Sequence, residues 1–406
     1  MMNEIDIKAG LHTVAGFTFS GVCIGDENKK NLALIFSEVK ETIGVAVYTK
    51  NDVKAAPVLI SQQHDSETPI KRVVLINSGQ ANAFTGKKGF HDAYHCVSTV
   101  ANRLSVNKEH VYLGSTGSIG YPIPIDDIID GIDKVSEGRG SSFIYAQNFI
   151  EATMTTDTRP KQAGIRYIDN GKIINIGATV KGSGMIMPNM ATMLCTVLTD
   201  VNISHDILKS ALNTAIDKSF HCTTVDGDTS TNDTVFLLAN GYAKNKKIEL
   251  QDASYELFVK NLTKLLEHLA KEMIADGEGI TKFITIKVSG VPSEENGKSI
   301  AFSIANSPLV KTALFGEQMN WGRILMAAGK AYTGLDFNRL NMKINNIQVI
   351  RESEPTDDKS HNEAAQTLKN RDIEICLDLN QGDYEFTAWT CDFSYEYVKI
   401  NAGYIS

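Results

Sequence analysis

Apolar residues fall in two rhythms along this chain. Short, nearly continuous apolar runs bounded by Gly, Asn and Asp predict strands at Leu32–Phe36 (LALIF), Ile43–Thr49 (IGVAVYT) and Arg72–Ile76 (RVVLI). The same holds for Lys172–Val180 (KIINIGATV) and Met193–Val201 (MLCTVLTDV). A 3.6-residue rhythm predicts helices over His91–Leu104, Phe143–Met154 and Ser204–Phe220, the last with Ser204 as N-cap and Ile207, Leu208, Ala211, Leu212, Ala215 and Ile216 inward. The longest helical pattern is Ala253–Ala275, closed by Asp276-Gly277. Alternation resumes at Phe283–Val288 (FITIKV) and opens a second region. The end of the chain, WTCDFSYEYVKINAGYIS, stays apolar and aromatic, which predicts a docked tail.

At 406 residues the chain has room for two or three domains, or one large layered domain and a smaller one. Apolar content of 42% and charged content of 22% are ordinary for a soluble globular protein. A net charge of −8 argues against a nucleic-acid partner, which needs a positive surface. The one basic cluster, Lys244-Asn245-Lys246-Lys247, reads as a solvated loop. None of the six cysteines stands at C-x-x-C spacing, so zinc, redox and disulfide frameworks are not expected and reduced thiols in a cytoplasmic protein are. The first ten residues have acids where a signal peptide needs basic then apolar residues, and no apolar run is long enough to span a membrane.

Candidate chemistry concentrates in Lys181–Cys195, KGSGMIMPNMATMLC, an apolar, glycine-interrupted stretch between two predicted strands. Gly182 and Gly184 open backbone angles closed to other residues, and Pro188 fixes its own φ. Such a loop can hold one peptide bond in a strained pose. Ala191 leaves its carbonyl unshielded, and the hydroxyl of Thr192 can attack that carbonyl through a five-membered ring. A cut there would make Thr192 a new N-terminus whose α-amine, with a pKa of roughly 7.7–8.0, serves its own hydroxyl as general base. By residue type alone, Thr192 reads first as a β-branched residue at a strand start. The loop Leu113–Gly120 (LGSTGSIG), after the short apolar run Val111–Leu113, can offer a backbone N–H and a hydroxyl to an oxyanion. Two motif tests fail. Asn77–Gly86 has its glycines seven apart and Lys87 followed by Lys88, so it is no phosphate loop. Counted from Asp226, Thr231 and Leu237 stand where a calcium loop needs Gly and Glu.

Taken together, KGSGMIMPNMATML, NSGQANAFTG, the STG loop, MTTDT (154–158), VDGDTSTNDT (225–234), DGEGITKF (276–283) and SPLVKTALFGEQMNWGRI resemble, in order, the motifs of the ornithine acetyltransferase (ArgJ) family. That family comprises self-cleaving glutamate N-acetyltransferases of arginine biosynthesis. The resemblance covers nearly the whole chain. It implies an α/β fold, a layered αββα sandwich over residues 1–284 with a smaller C-terminal α/β region over 285–406 whose tail returns to the active site. It implies a cut between Ala191 and Thr192, giving an α chain of 1–191 and a β chain of 192–406 in an α2β2 heterotetramer. The implied reaction moves the acetyl group of N-acetylornithine to glutamate through an acetyl-threonine, with Thr192 as nucleophile and Thr116 and Gly117 as oxyanion hole. Substrate contacts carried over by the resemblance are Thr155 (with Thr156 one residue away as its rival), Lys181, Thr192, Glu278, Asn401 and Ser406. No metal or cofactor is implied, nor any nucleic acid or membrane. Use of acetyl-CoA as a further acetyl donor stays open, as does a self-cleaving amidase or aminopeptidase on a related scaffold. Asp157 and Arg159 read as partners of each other or of solvent, and Trp321 as core. The chain departs from the family pattern at Gln80, Phe84, Ile280, Gln318 and Met319, which leaves acceptor preference open.

Overall fold

A computed structural model of the chain describes residues 4–25, 28–187 and 193–403. In chain order the elements begin Ile5–Asp6 (β1), Phe17–Val22 (β2), Leu32–Ser37 (β3), Ile43–Tyr48 (β4), Ala56–Glu67 (α1), Val73–Gln80 (β5), Gly86–Leu104 (α2) and Val111–Ser118 (β6). They continue with Ile125–Glu137 (α3), Phe143–Thr153 (α4), Lys161–Asp169 (β7), Lys172–Lys181 (β8), Leu194–Thr199 (β9), His205–Asp217 (α5), Thr234–Ala239 (β10) and Ala253–Ala275 (α6). The last part holds Phe283–Val291 (β11), Glu294–Ala305 (α7), Pro308–Phe315 (α8), Trp321–Gly329 (α9), Asn341–Ile344 (β12), Ile347–Arg351 (β13), Glu354–Pro355 (β14), Asp358–Thr367 (α10), Asp372–Asp378 (β15), Tyr384–Cys391 (β16) and Tyr395–Gly403 (α11).

These strands form three sheets: β2-β3-β5-β6, β1-β7-β8-β9-β10-β4 and β14-β13-β12-β15-β11-β16. The first two pack face to face. Ala33 and Ile35 of β3, Val74 and Ile76 of β5, and Leu194, Leu198, Phe236 and Leu238 from β9 and β10 meet in one cluster between them. The alternate residues Leu32, Leu34 and Phe36 turn to the outer face, under Val97 and Val100 of α2 and Ile128 and Ile132 of α3. Val235 and Leu237 of β10 turn the other way, under Leu208 and Leu212 of α5 and Leu262 and Leu269 of α6. The period of two along each strand, with both faces buried, makes an αββα sandwich and explains why its strands read as continuous apolar runs. The core that backs α6 runs on into the third sheet, through Ile284, Ile286 and Trp389.

Several boundaries differ from the sequence expectation. Two segments expected as loops, Asn77–Gln80 and Gly114–Ser118, are the ends of strands, because the parallel ladder of β5 and β6 runs on through Ser78↔Thr116 and Gly79↔Gly117 to Gln80↔Ser118. Ser204 stands at the N-cap of α5, but its side chain makes no capping bond. The tail forms α11, yet none of its described residues is buried and Tyr395 is 83% exposed. Trp321 is only partly buried, against the core and the ring of His361.

Candidate active site

The ends of β6 and β8, the Thr155–Thr156 turn after α4, the 226–232 segment and α11 enclose a cavity of about 180 Å3. At roughly 30 Å3 per water, that is room for an amino-acid-sized ligand. Thr116, Gly117, Thr155, Lys181, Glu278 and Asn401 all line it, though they come from separate parts of the chain.

Lys181 is the last residue of β8 and is 4% exposed. Its Nζ donates to Thr116 Oγ1 at 2.9 Å and to Thr155 Oγ1 at 3.0 Å. Because those oxygens accept, the protons of both hydroxyls are free to donate elsewhere. Burial lowers the Lys181 pKa from the usual ammonium value, and the charge of Asp157 opposes that. Thr156, the rival of Thr155, also lines the cavity, but its hydroxyl is bonded to Ser183 Oγ at 2.6 Å.

Gly117 needs to be glycine. Its φ is +125°, and a Cβ there would lie 2.2 Å from the carbonyl carbon of Gly79. On β6, an edge strand, the backbone of Leu113 bonds to Ser61 Oγ, and the Ser115 carbonyl accepts from Asn232 Nδ2 at 2.8 Å. Both therefore face away from β5, and by the two-residue alternation the Gly117 N–H faces the same way. Asn232, which also bonds the Ala81 carbonyl, ties this edge to the 230s segment.

Asp157 departs from expectation. Its partner is not Arg159, which pairs with Glu272 at 2.7 Å. Asp157 accepts from Lys161 Nζ at 2.6 Å, from the Gly182 N–H at 2.8 Å and from the Thr155 N–H at 3.1 Å. Lys161 is fully buried and also pairs with Asp276, which accepts from Thr158 as well. Burial works against a charge on Asp157, but Lys181, Lys161 and the Gly182 N–H outweigh it and hold its carboxyl at about 2. One buried network thus joins the Thr155 turn, the exit of β8 and the Asp276–Glu278 corner.

Glu278 is 9% exposed, gives its N–H to the Ser183 carbonyl, and accepts from Asn401 Nδ2 at 2.9 Å. Gly184 admits it: a Cβ there would lie 2.3 Å from Glu278 Oε2. Tyr397 of α11 stacks on Phe393 and reaches Asp226.

Leu194 opens β9 between Lys181 of β8 and Thr234 of β10. Met193 before it donates its N–H to Asp233 Oδ1 at 2.9 Å. Ala191, Thr192 and Ser406 lie outside the described residues. Sequence reasoning missed Lys161, Ser183, Asp226, Asp233 and Tyr397 as parts of the site. For Asp226 and Asp233 the available signal was the polar run 225–234, which reads in the sequence only as a family motif and a failed calcium loop.

A family model described as the ArgJ family matches residues 18–406. The arginine biosynthesis bifunctional protein ArgJ of Symbiobacterium thermophilum is 41% identical over 404 residues, 98% of this chain and 99% of that protein. The protein of the same name from Bacillus anthracis is 41% identical over 393 residues, 97% of this chain and 96% of its own length. The crystal structure of arginine biosynthesis bifunctional protein ArgJ from Bacillus halodurans superposes with a TM-score of 0.50 at 40% identity, covering 52% of this chain and 98% of the solved one. No helix of the described residues is long and apolar enough to cross a membrane.

Proposed function

The chain belongs to the ArgJ family, and on that premise we propose that it is a self-cleaving acetyltransferase that moves acetyl from N2-acetyl-L-ornithine to L-glutamate in arginine biosynthesis. What supports this most is the convergence of Thr116, Gly117, Thr155, Lys181, Glu278 and Asn401 on one amino-acid-sized cavity beside the start of β9. The half-length of the solved relative's chain also fits a family whose members are cut near the middle.

In maturation, Thr192 Oγ bonds to the Ala191 carbonyl carbon, the C–N bond breaks, and the hydroxyl proton passes to the departing nitrogen. That step already frees the Thr192 α-amine; water then hydrolyses the ester, releasing the Ala191 carboxylate and restoring the Thr192 hydroxyl. In turnover that amine takes the Oγ proton while Oγ attacks the acetyl carbonyl. The oxyanion meets the Thr116 hydroxyl, oriented by Lys181, and the Gly117 N–H. The proton passes on to the nitrogen of departing ornithine. Glutamate's amine then attacks acetyl-Thr192, giving N-acetylglutamate and free enzyme, a ping-pong cycle. Two of the three Lys181 N–H bonds are spent on threonines, which leaves one for a substrate α-carboxylate. Glu278 faces the substrate ammonium with Asn401 beside it, and Ser406 completes the contacts.

The domain reading, residues 1–284 as the catalytic sandwich and 285–406 as a smaller α/β region, belongs to this proposal. So do an α2β2 assembly of the cut chains and a cytoplasmic location, which six free thiols suit. The relatives' name, bifunctional, favours acetyl-CoA as a second acetyl donor to glutamate. Intact mass with N-terminal sequencing tests the reading: two fragments, one beginning Thr192-Met193-Leu194, and a single inactive chain for Thr192→Ala. A Thr192→Ala chain that still cuts, or still transfers acetyl, overturns it.

A further inference from the structure

The two flanks of the stretch that carries the proposed scissile bond are gripped by one segment. Upstream, Asp226 Oδ2 accepts the Met185 N–H at 2.6 Å and Oδ1 accepts the Ile186 N–H at 2.8 Å. The Ile186 carbonyl is taken by the Val225 N–H at 2.8 Å and by Thr224 Oγ1 at 3.0 Å. Downstream, Asp233 Oδ1 accepts the Met193 N–H at 2.9 Å, and the Met193 carbonyl accepts the Thr234 N–H at 3.1 Å. Ile186 and Met193 therefore have both backbone groups bound to residues 224–234, and both are buried. Between them run residues 187–192.

Among the described residues neither carboxyl belongs to an ion pair. Asp226 is bonded to backbone N–H groups and the Tyr397 hydroxyl, and Asp233, fully buried, lies against Ser230 as well as the Met193 N–H. Burial pushes both carboxyls above the usual range, Asp233 far above it, against the pull of the N–H groups they hold. A carboxyl kept in such a place is costly to the fold. Met185 is held with φ +56°, a conformation disfavoured for a side chain of its kind. Two carboxyls seven positions apart thus hold the two described flanks, at Met185-Ile186 and at Met193.

We propose that Asp226 and Asp233 are positioning residues for self-cleavage, fixing the two ends of the span 187–192 so that the Thr192 hydroxyl is presented to the Ala191 carbonyl. This rests on the self-cleavage reading above. The effect is one of proximity: the attack is intramolecular, and a misplacement of about 1 Å costs on the order of 100-fold in rate.

Cleavage is followed by intact mass of the full chain as it is made by cell-free translation, with circular dichroism on each purified variant. Asp226→Ala and Asp233→Ala each slow the cut about 100-fold. Asp233→Asn, which keeps an oxygen acceptor for the Met193 N–H, recovers most of the rate. Asp226→Asn, left with one acceptor for two N–H groups, falls between. Asp200→Ala is the control: Asp200 is a buried carboxyl that holds the Asn175 N–H at 2.8 Å, just beyond the far end of β9. It melts earlier and cuts at the parental rate. Alanine variants that cut as fast as the parent, or an Asp200→Ala chain slowed as much as they are, overturn the proposal. The asparagine pair decides it if the alanine chains do not fold. A parental chain that never cuts defeats the self-cleavage reading itself, and this proposal with it.

Discussion

The two walls of the cavity are built to different rules. One is made of strand ends. Thr116 is 5% exposed and Lys181 4%, and both sit on a buried ring of acids and lysines through Asp157 and Lys161. The other is a cover: Asn401 and most of α11 are exposed, and only Glu278 beneath them is buried. Donors for a developing negative charge gain most from a site where nothing must reorganise, and strand ends tied by buried charge provide that. A cover held by few contacts can adjust to a second amino acid. The ping-pong cycle proposed above, in which ornithine leaves before glutamate enters, would need both properties, and the cavity separates them in space.

The comparison is broken most severely at Lys161. Lys161→Met leaves Asp157 and Asp276 as unpaired buried carboxyls and lowers unfolding free energy by about 3–5 kcal/mol in urea denaturation. A loss below about 1 kcal/mol would show that the sheet wall does not depend on this charge. Lys181→Met unlocks the Thr116 and Thr155 hydroxyls, and kcat falls about 100-fold. Lys181→Arg does not restore it, because a planar fork cannot replace an ammonium between two hydroxyls. A kcat unchanged in Lys181→Met would mean the threonines orient themselves.

Acid sharpens the same point. The Asp157 carboxyl titrates at about 2 when folded, below its ordinary 3.8. The unfolded chain therefore binds more protons, so this contribution is present above the ordinary value and is lost as pH falls through the folded one. It amounts to about 2 kcal/mol, and Asp157→Asn flattens the loss measured between those limits. The smallest effect is on the cover. Glu278→Gln raises KM for the amino-acid substrates about 10-fold, the lower end of a charge-assisted hydrogen bond, while kcat holds. A fall in kcat with KM unchanged would move Glu278 to the chemical wall.

How much of this was legible in the sequence depended on the kind of order involved. The helix Ala253–Ala275 was read to the residue, because a long amphipathic repeat with a glycine stop specifies itself locally. β3 was legible because both its faces are buried. The ends of β5 and β6 were not: Asn-Ser-Gly-Gln and Ser-Thr-Gly-Ser are turn formers by type, and only pairing with each other keeps them extended. The tail is mostly exposed on its own helix despite its aromatic composition, since of that helix's described residues Tyr397 alone packs against the main core, stacked on Phe393. The six described site residues were carried by resemblance, whereas Lys161 escaped because one of its partners, Asp276, is 115 positions away. No periodicity reports a contact of that range.

The most direct measurement of the central claim is the mass of the fragment that begins at Thr192 after the protein is mixed with N-acetylornithine and no glutamate. The account predicts that this fragment gains one acetyl group, that one ornithine is released per site, and that added glutamate removes the acetyl as N-acetylglutamate. An unmodified fragment alongside steady acetyl transfer would contradict it, because the acetyl group would then pass directly between substrates without resting on the protein.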